Sequence, residues 1–301
     1  MADHEFYATQ SRVTDPGRFA DLASGVAGDL PAMRAAAQQL VFHYRADGDF
    51  TENGIDAGRI SEIDTRYAED MLGRLEQLAD QPLAKPRQPS QRVVGCCRDF
   101  TVLFLSIARG HAVPARARVG FATYFVPGWY IDHVVAEVWD AHEERWRLVD
   151  PELADDYTDS IDGQRIDPLD IPAAKFLTGA RAWQVCRAGT ADAGKFVVDP
   201  GLELPLTRGW PYVRHNLVHD LASLAKHEMV LWDNWGIADI DGEPSTGQLA
   251  LLDALATAIS SGDAAVDLIE SYYQREEFRV PPVVTSFSPA SQIPLKVTVE
   301  A

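Results

Sequence analysis

The stretch GCCRDFTVLFLSIARG, Gly95–Gly110, is followed by VPARARVGFATYFVPG (Val113–Gly128), IDHVVAEVW (Ile131–Trp139) and RWRLVD (Arg145–Asp150). From Cys97 to Arg109 there is no Pro or Gly, and Phe100, Leu103, Phe104 and Ile107 recur at helical spacing. The spacing predicts a helix with an apolar face, and Gly110 stands where a C-terminal cap belongs. Cys97 then lies on the first turn. Unpaired backbone N–H groups and the positive end of the helix dipole favour a thiolate there.

Ala117, Val119, Phe121, Thr123 and Phe125 alternate with Arg118, Gly120, Ala122 and Tyr124, the period of a strand, and Pro127-Gly128 signals a turn. His133 opens a second strand, HVVAEVWD. After a polar turn around His142 to Glu144, RWRLVD returns antiparallel, so His133 and Asp150 can lie side by side. An imidazole beside Cys97 can take the thiol proton, and a carboxylate on the far ring nitrogen can fix the tautomer. Cys97, His133 and Asp150 are the candidate nucleophile, base and orienter.

The runs G-x-C-R-D-F at Gly95–Phe100, V-P-A-R at Val113–Arg116, D-H at Asp132-His133, E-V-W at Glu137–Trp139 and W-x-x-V-D-P at Trp146–Pro151 resemble the transglutaminase-like superfamily, specifically its bacterial stand-alone members. Five motifs in order are far more specific than any one of them. The resemblance implies a Cys97–His133–Asp150 catalytic triad. It also implies an α+β fold with a papain-like core, an active-site helix packed on an antiparallel sheet, here with helical N- and C-terminal extensions. Weaker similarity continues through Ala182-Trp183, Cys186-Arg187 and Asn216 to Gly236. Cys96 and Val134 depart from the family's usual residues without touching the triad. Gln91, six residues before Cys97, stands where papain-like thiol enzymes place an oxyanion-hole glutamine. Its segment, residues 81 to 95, otherwise reads as a Pro-rich linker. Arg98 and Asp99 are expected to fix the helix start and Arg116 to anchor the core by ion pairing. Asp132 and Tyr124 are cleft candidates.

The chain has 301 residues, 46% hydrophobic and 24% charged, with a net charge of −18. So acidic a chain does not suit nucleic acid, and its surface favours solubility and cationic partners. Three cysteines, two of them adjacent, make no disulfide framework. No apolar run approaches a membrane span and no signal peptide is visible, so a cytoplasmic, reduced protein is expected. The expected organisation is a single domain over 1–301, with a catalytic core at 92–151 and a helical extension at 171–278.

Residues 1 to 23 read as a partly ordered polar arm. A helix is expected from Leu30 to Tyr44, capped by Asp29, and another from Ser61 to Asp80. The acidic run Asp155, Asp156, Asp159 and Asp162 lacks a calcium-loop pattern and reads as a solvated loop. Helices are expected from Asp170 to Cys186, Tyr212 to Trp232, Ser245 to Ile259 and Asp263 to Glu277. His215 and His219 have a zinc-compatible spacing, but no H-E-x-x-H or cysteine cluster accompanies them. No metal and no cofactor is expected.

Together these readings predict a cysteine-dependent acyl-transfer enzyme working through a thioester, by hydrolysis of an amide or peptide bond. An amine acyltransferase, taking a cationic amine acceptor, is the alternative; a non-catalytic binding module, which needs a broken triad, is the third. The expected partners are a small-molecule or peptide acyl substrate, with no nucleic acid and no membrane.

Overall fold

The computed structural model describes residues 3–240, 242–260, 264–291 and 293–300. Its centre is the helix Cys97–Gly110, buried on every side from Cys97 to Arg109. A helix apolar on one stripe needs one cover; this one has two. Val102, Leu103, Phe104 and Leu105 share a core with Met33, Ala36 and Ala37 of the helix Leu30–Gln38 and with Ala117, Val119, Val134 and Ala136 of the sheet.

That sheet runs Arg145–Val149, Tyr130–Asp140, Ala115–Ala122, Phe176–Thr178, all antiparallel, with Phe196–Val197 joining Tyr130–Ile131 in parallel. The fold is α+β. Its second face is covered by the helix Gly209–Leu224, so all eight residues of Ala115–Ala122 are buried, those on the expected polar face included. Burying arginines there requires partners. Arg116 Nε bonds Glu137 at 2.7 Å; Arg118 bonds Glu137 and grips both oxygens of Asp220, on the covering helix, at 2.8 and 2.9 Å. Gly120 admits the neighbouring strand, since a Cβ there would stand 2.1 Å from Leu177 O.

Several local expectations are corrected. From residue 3 onward the N-terminal arm packs on the domain: Tyr7 is fully buried and its hydroxyl donates to Leu224 O at 2.9 Å, while His4 stacks on Trp139. Val13, Phe19 and Ala23 join the core around the central helix. Asp29 caps Leu30–Gln38 as expected, but the helix stops there, and Val41–His43 forms a parallel strand with Val93–Gly95. The Ser61–Asp80 helix divides into a 3₁₀ segment, Ala57–Asp64, and the helix Ala68–Leu78.

The C-terminal region is less helical than its sequence suggests. Asp170 instead pairs with Arg145, and the helix Gly179–Arg187 is capped by Thr178. The long helix ends at Leu224, and 225–240 bends into a turn, a short strand and a 3₁₀ segment. Ser245 caps Thr246–Ile259 as expected. The last helix is Val266–Tyr273; its expected start, Asp263, lies outside the described residues. Val283–Ser286 and Leu295–Thr298 pair antiparallel, and the first also pairs with Asp233–Asn234.

Candidate active site

Cys97 begins the central helix because Asp99 closes its first turn: Asp99 Oδ2 accepts the Cys96 N–H at 2.8 Å, and Arg98, paired to Asp99 at 2.9 Å, ties the turn to the carbonyls of Thr65, Arg66 and Glu228. The expected roles of Arg98 and Asp99 are thus visible in their bonds. Cys96 and Cys97 both open on a cavity of about 680 Å³.

His133 lies on the central strand, and the register pairs Ala136 with Val149, which puts Asp150 just past the neighbouring strand's end. His133 Nε2 meets Asp150 Oδ2 at 2.7 Å. Tyr124 donates to the same oxygen at 2.7 Å, and Glu152 N donates to Asp150 Oδ1 at 2.9 Å. With Nε2 engaged, Nδ1 is the ring nitrogen left for the thiol. Cys97 Sγ, a His133 ring nitrogen and a Glu152 carboxylate oxygen lie within 4.8 Å of one another.

Electrostatics refine the picture. Contact with the Cys96 sulfur, then burial, pushes the Cys97 thiol well above its usual value, opposing the pull of the helix N-terminus toward the thiolate. Burial opposes a charged ring at His133, but the Asp150 carboxylate outweighs it and raises the imidazole. Burial likewise opposes ionisation of Asp150, and His133 overcomes it and holds the carboxyl low. The pair therefore favours an imidazolium on a carboxylate, the state that follows removal of the thiol proton.

Two candidates need correction. Gln91 does not reach the cavity: its Oε1 accepts the Gln88 N–H at 3.0 Å, closing the 3₁₀ turn Pro89–Gln91. The strand Val93–Gly95 then separates it from the nucleophile. Tyr124 is not a cleft residue but lies behind Asp150, fully buried. Asp132 does line the cavity; burial lifts its carboxyl to about 6 against hydrogen bonds from Tyr212 and Asn216.

Four cavity residues escape sequence reasoning. His43 faces the cavity because its strand pairs it with Gly95, two residues from Cys97. Its Nδ1 accepts the N–H groups of Arg45 and Ala46, each at 3.1 Å, so its proton sits on Nε2. Burial first, then His133 and Arg45, lowers it to about 3 and keeps it neutral. Tyr44 and Tyr212 come from distant helix-like stretches and carry no motif. Glu152 has one signal, its place two residues after Asp150; burial raises it to about 8.

The metal readings end in protein contacts. Lys175 bridges Asp159 and Asp162 at 2.6 and 2.8 Å. His215 spends both ring nitrogens on Asn234 and Leu231 O, and His219 bonds Asp233 O. Among the described residues no helix is long and apolar enough to cross a membrane.

Comparison with known proteins meets this geometry at the same place. The transglutaminase-like superfamily model matches residues 74–151, from the helix before the Pro-rich segment to the residue after Asp150. Over residues 74–151 this chain is similar to that superfamily's core. The match supports a cysteine-dependent enzyme in general terms. No curated protein matches significantly. Among solved structures, a Cytophaga hutchinsonii protein provisionally described as a cysteine protease is similar at 14% identity and a TM-score of 0.34. The similarity covers 57% of this chain and 44% of that one, so this chain spans less than half of that relative's length.

Proposed function

We propose that this chain is a thiol acyl-transfer enzyme that cleaves an amide or peptide bond through a thioester on Cys97. The observation that carries the reading is the Cys97–His133–Asp150 line. The thiol opens on a cavity, one imidazole nitrogen is free beside it, and the other is held at 2.7 Å by a buried carboxylate.

As the carbonyl enters, Nδ1 of His133 takes the thiol proton while sulfur bonds to the carbonyl carbon. The Cys97 backbone N–H, unpaired on the first helical turn, donates to the developing oxyanion. His43 Nε2–H is the second donor we assign, in the role first given to Gln91. Collapse breaks the C–N bond, and His133 returns its proton to the leaving amine. Water then adds to the thioester as His133 takes its proton; the C–S bond breaks, the acid departs and His133 returns the proton to the Cys97 sulfur.

A specific observation favours the second reading, transfer to an amine. Asp132 Oδ1 is buried on the cavity wall without a hydrogen-bond partner, and an ammonium group would supply one.

Intact-mass measurement after incubation with acyl amides and acyl thioesters tests the function. The expected result is one acyl group on Cys97, absent in Cys97→Ala, cleared by water in a hydrolase and faster by added amines in a transferase. Turnover of a substrate by Cys97→Ala at the wild-type rate would remove the proposal.

A further inference from the structure

One buried group beside the nucleophile has no part in these proton transfers. The Glu152 side chain is only 16% exposed, its Oε2 lies 3.9 Å from His133 Nδ1, and that oxygen has no hydrogen-bond partner. With Cys97 Sγ and a His133 nitrogen it completes a triangle no side of which exceeds 4.8 Å. Thiolate, imidazole and carboxylate are donor types that Zn²⁺ takes at about 2.0–2.3 Å, and tetrahedral ligand atoms then stand roughly 3–4 Å apart. A small side-chain movement brings this triangle to that spacing.

The outer support is already built. A zinc-binding imidazole is usually oriented by a carboxylate on its other nitrogen. Asp150 occupies that place on His133 Nε2, and is itself fixed by Tyr124 and by the Glu152 N–H. Three protein ligands leave a fourth position, for which the cavity offers water or substrate.

We propose that Cys97, His133 and Glu152 form an inhibitory zinc site. Zn²⁺ bonds the Cys97 sulfur, the His133 nitrogen and the Glu152 carboxylate as the thiol proton and any proton held by the imidazole nitrogen or the carboxyl pass to solvent, with no change of oxidation state. The sulfur lone pair and the His133 nitrogen that would accept its proton are then both committed to the metal. Inhibition rests on the thiol chemistry proposed above; binding of the metal does not.

The test titrates the full chain with Zn²⁺ against a competing chelating dye and with Co²⁺, and in parallel follows iodoacetamide labelling of Cys97 by mass. One zinc per chain is expected, removable by EDTA. A sulfur-to-cobalt charge-transfer absorption should be present and should vanish in Cys97→Ala. Zinc should slow Cys97 labelling at least tenfold, and Glu152→Gln should weaken zinc roughly tenfold or more. Glu152→Ala is the second variant, and melting temperatures separate lost binding from lost fold. Unchanged zinc affinity in both folded variants, absence of the cobalt–sulfur band, or labelling indifferent to zinc overturns the site. If the acyl-enzyme still forms on Cys97 while zinc fails to bind, only the zinc site falls; zinc binding without any acyl-enzyme removes only the function.

Discussion

Tyr124 and His133 meet one and the same oxygen, Asp150 Oδ2, each at 2.7 Å. The carboxylate therefore cannot turn toward either partner without losing the other, and the imidazole plane is held from two residues away. Tyr124→Phe removes that restraint and leaves the triad in place. Its expected effect is a kcat lower by roughly tenfold with KM little changed, and a stability loss of about 1 kcal/mol. An unchanged kcat in a correctly folded variant would show that His133 needs no second anchor.

The triad should act on one barrier. Cys97→Ala and His133→Ala each remove nearly all activity, Asp150→Asn removes less, and the double variants are no worse than the worst single one. Multiplying losses in the doubles would mean that the three residues do not share a step. Iodoacetamide kinetics on His133→Ala give an independent view, with slower labelling of Cys97 near neutral pH expected in a protein whose melting temperature stays close to wild type.

Exchange of the oxyanion role gives a paired prediction. Gln91→Ala disturbs a surface turn and should leave kcat within about twofold, whereas His43→Ala should lower it by roughly 10²–10³. Steady-state kinetics on the same substrate compare them. Equal losses, or a larger loss at Gln91, would return the role to the glutamine.

Acid stability should report on Glu137. Burial disfavours its charge, but Arg116 and Arg118 outweigh that and hold its folded value below the usual one. A carboxyl held low contributes stability above its unfolded value, about 4.3, and loses it as pH falls through the folded value. At pH 7 Glu137→Gln is expected to cost about 3–5 kcal/mol, since it leaves buried guanidiniums underpaired. Thermal melts from pH 7 to pH 3 should show that deficit shrinking only below the unfolded value. A deficit constant across the range would contradict the assignment.

How far the molecule was legible depends on whether neighbours in space were also neighbours in pattern. The helix from Cys97, the strand bearing His133 and the return to Asp150 carry period and motif within one stretch, although the helix runs through Gly110, read as its cap, and is capped by His111. Asp29 and Ser245 are readable as caps because capping is local. Val41–His43 is not readable in this way. A three-residue strand lacks enough periods to be distinguished from the end of the preceding helix, and its partner is some fifty positions away, at Val93–Gly95. Gln91 was misleading for the complementary reason: counting residues back from Cys97 assumes the path between them, and the Gln88 turn changes that path. The raised thiol was also beyond reach, because the helix terminus is visible in sequence while the burial and the Cys96 contact that oppose it are not.

The cavity walls come from His43 and Cys97 near one part of the chain and from Leu204, Trp232, Phe287 and Pro294 far along it. Closing such contacts carries a loop-closure entropy cost that grows with the length of chain between them. The triad residues, by contrast, all lie between positions 97 and 150. Much of the wall that encloses the sulfur is thus supplied by a different part of the sequence from the residues proposed to act on a substrate.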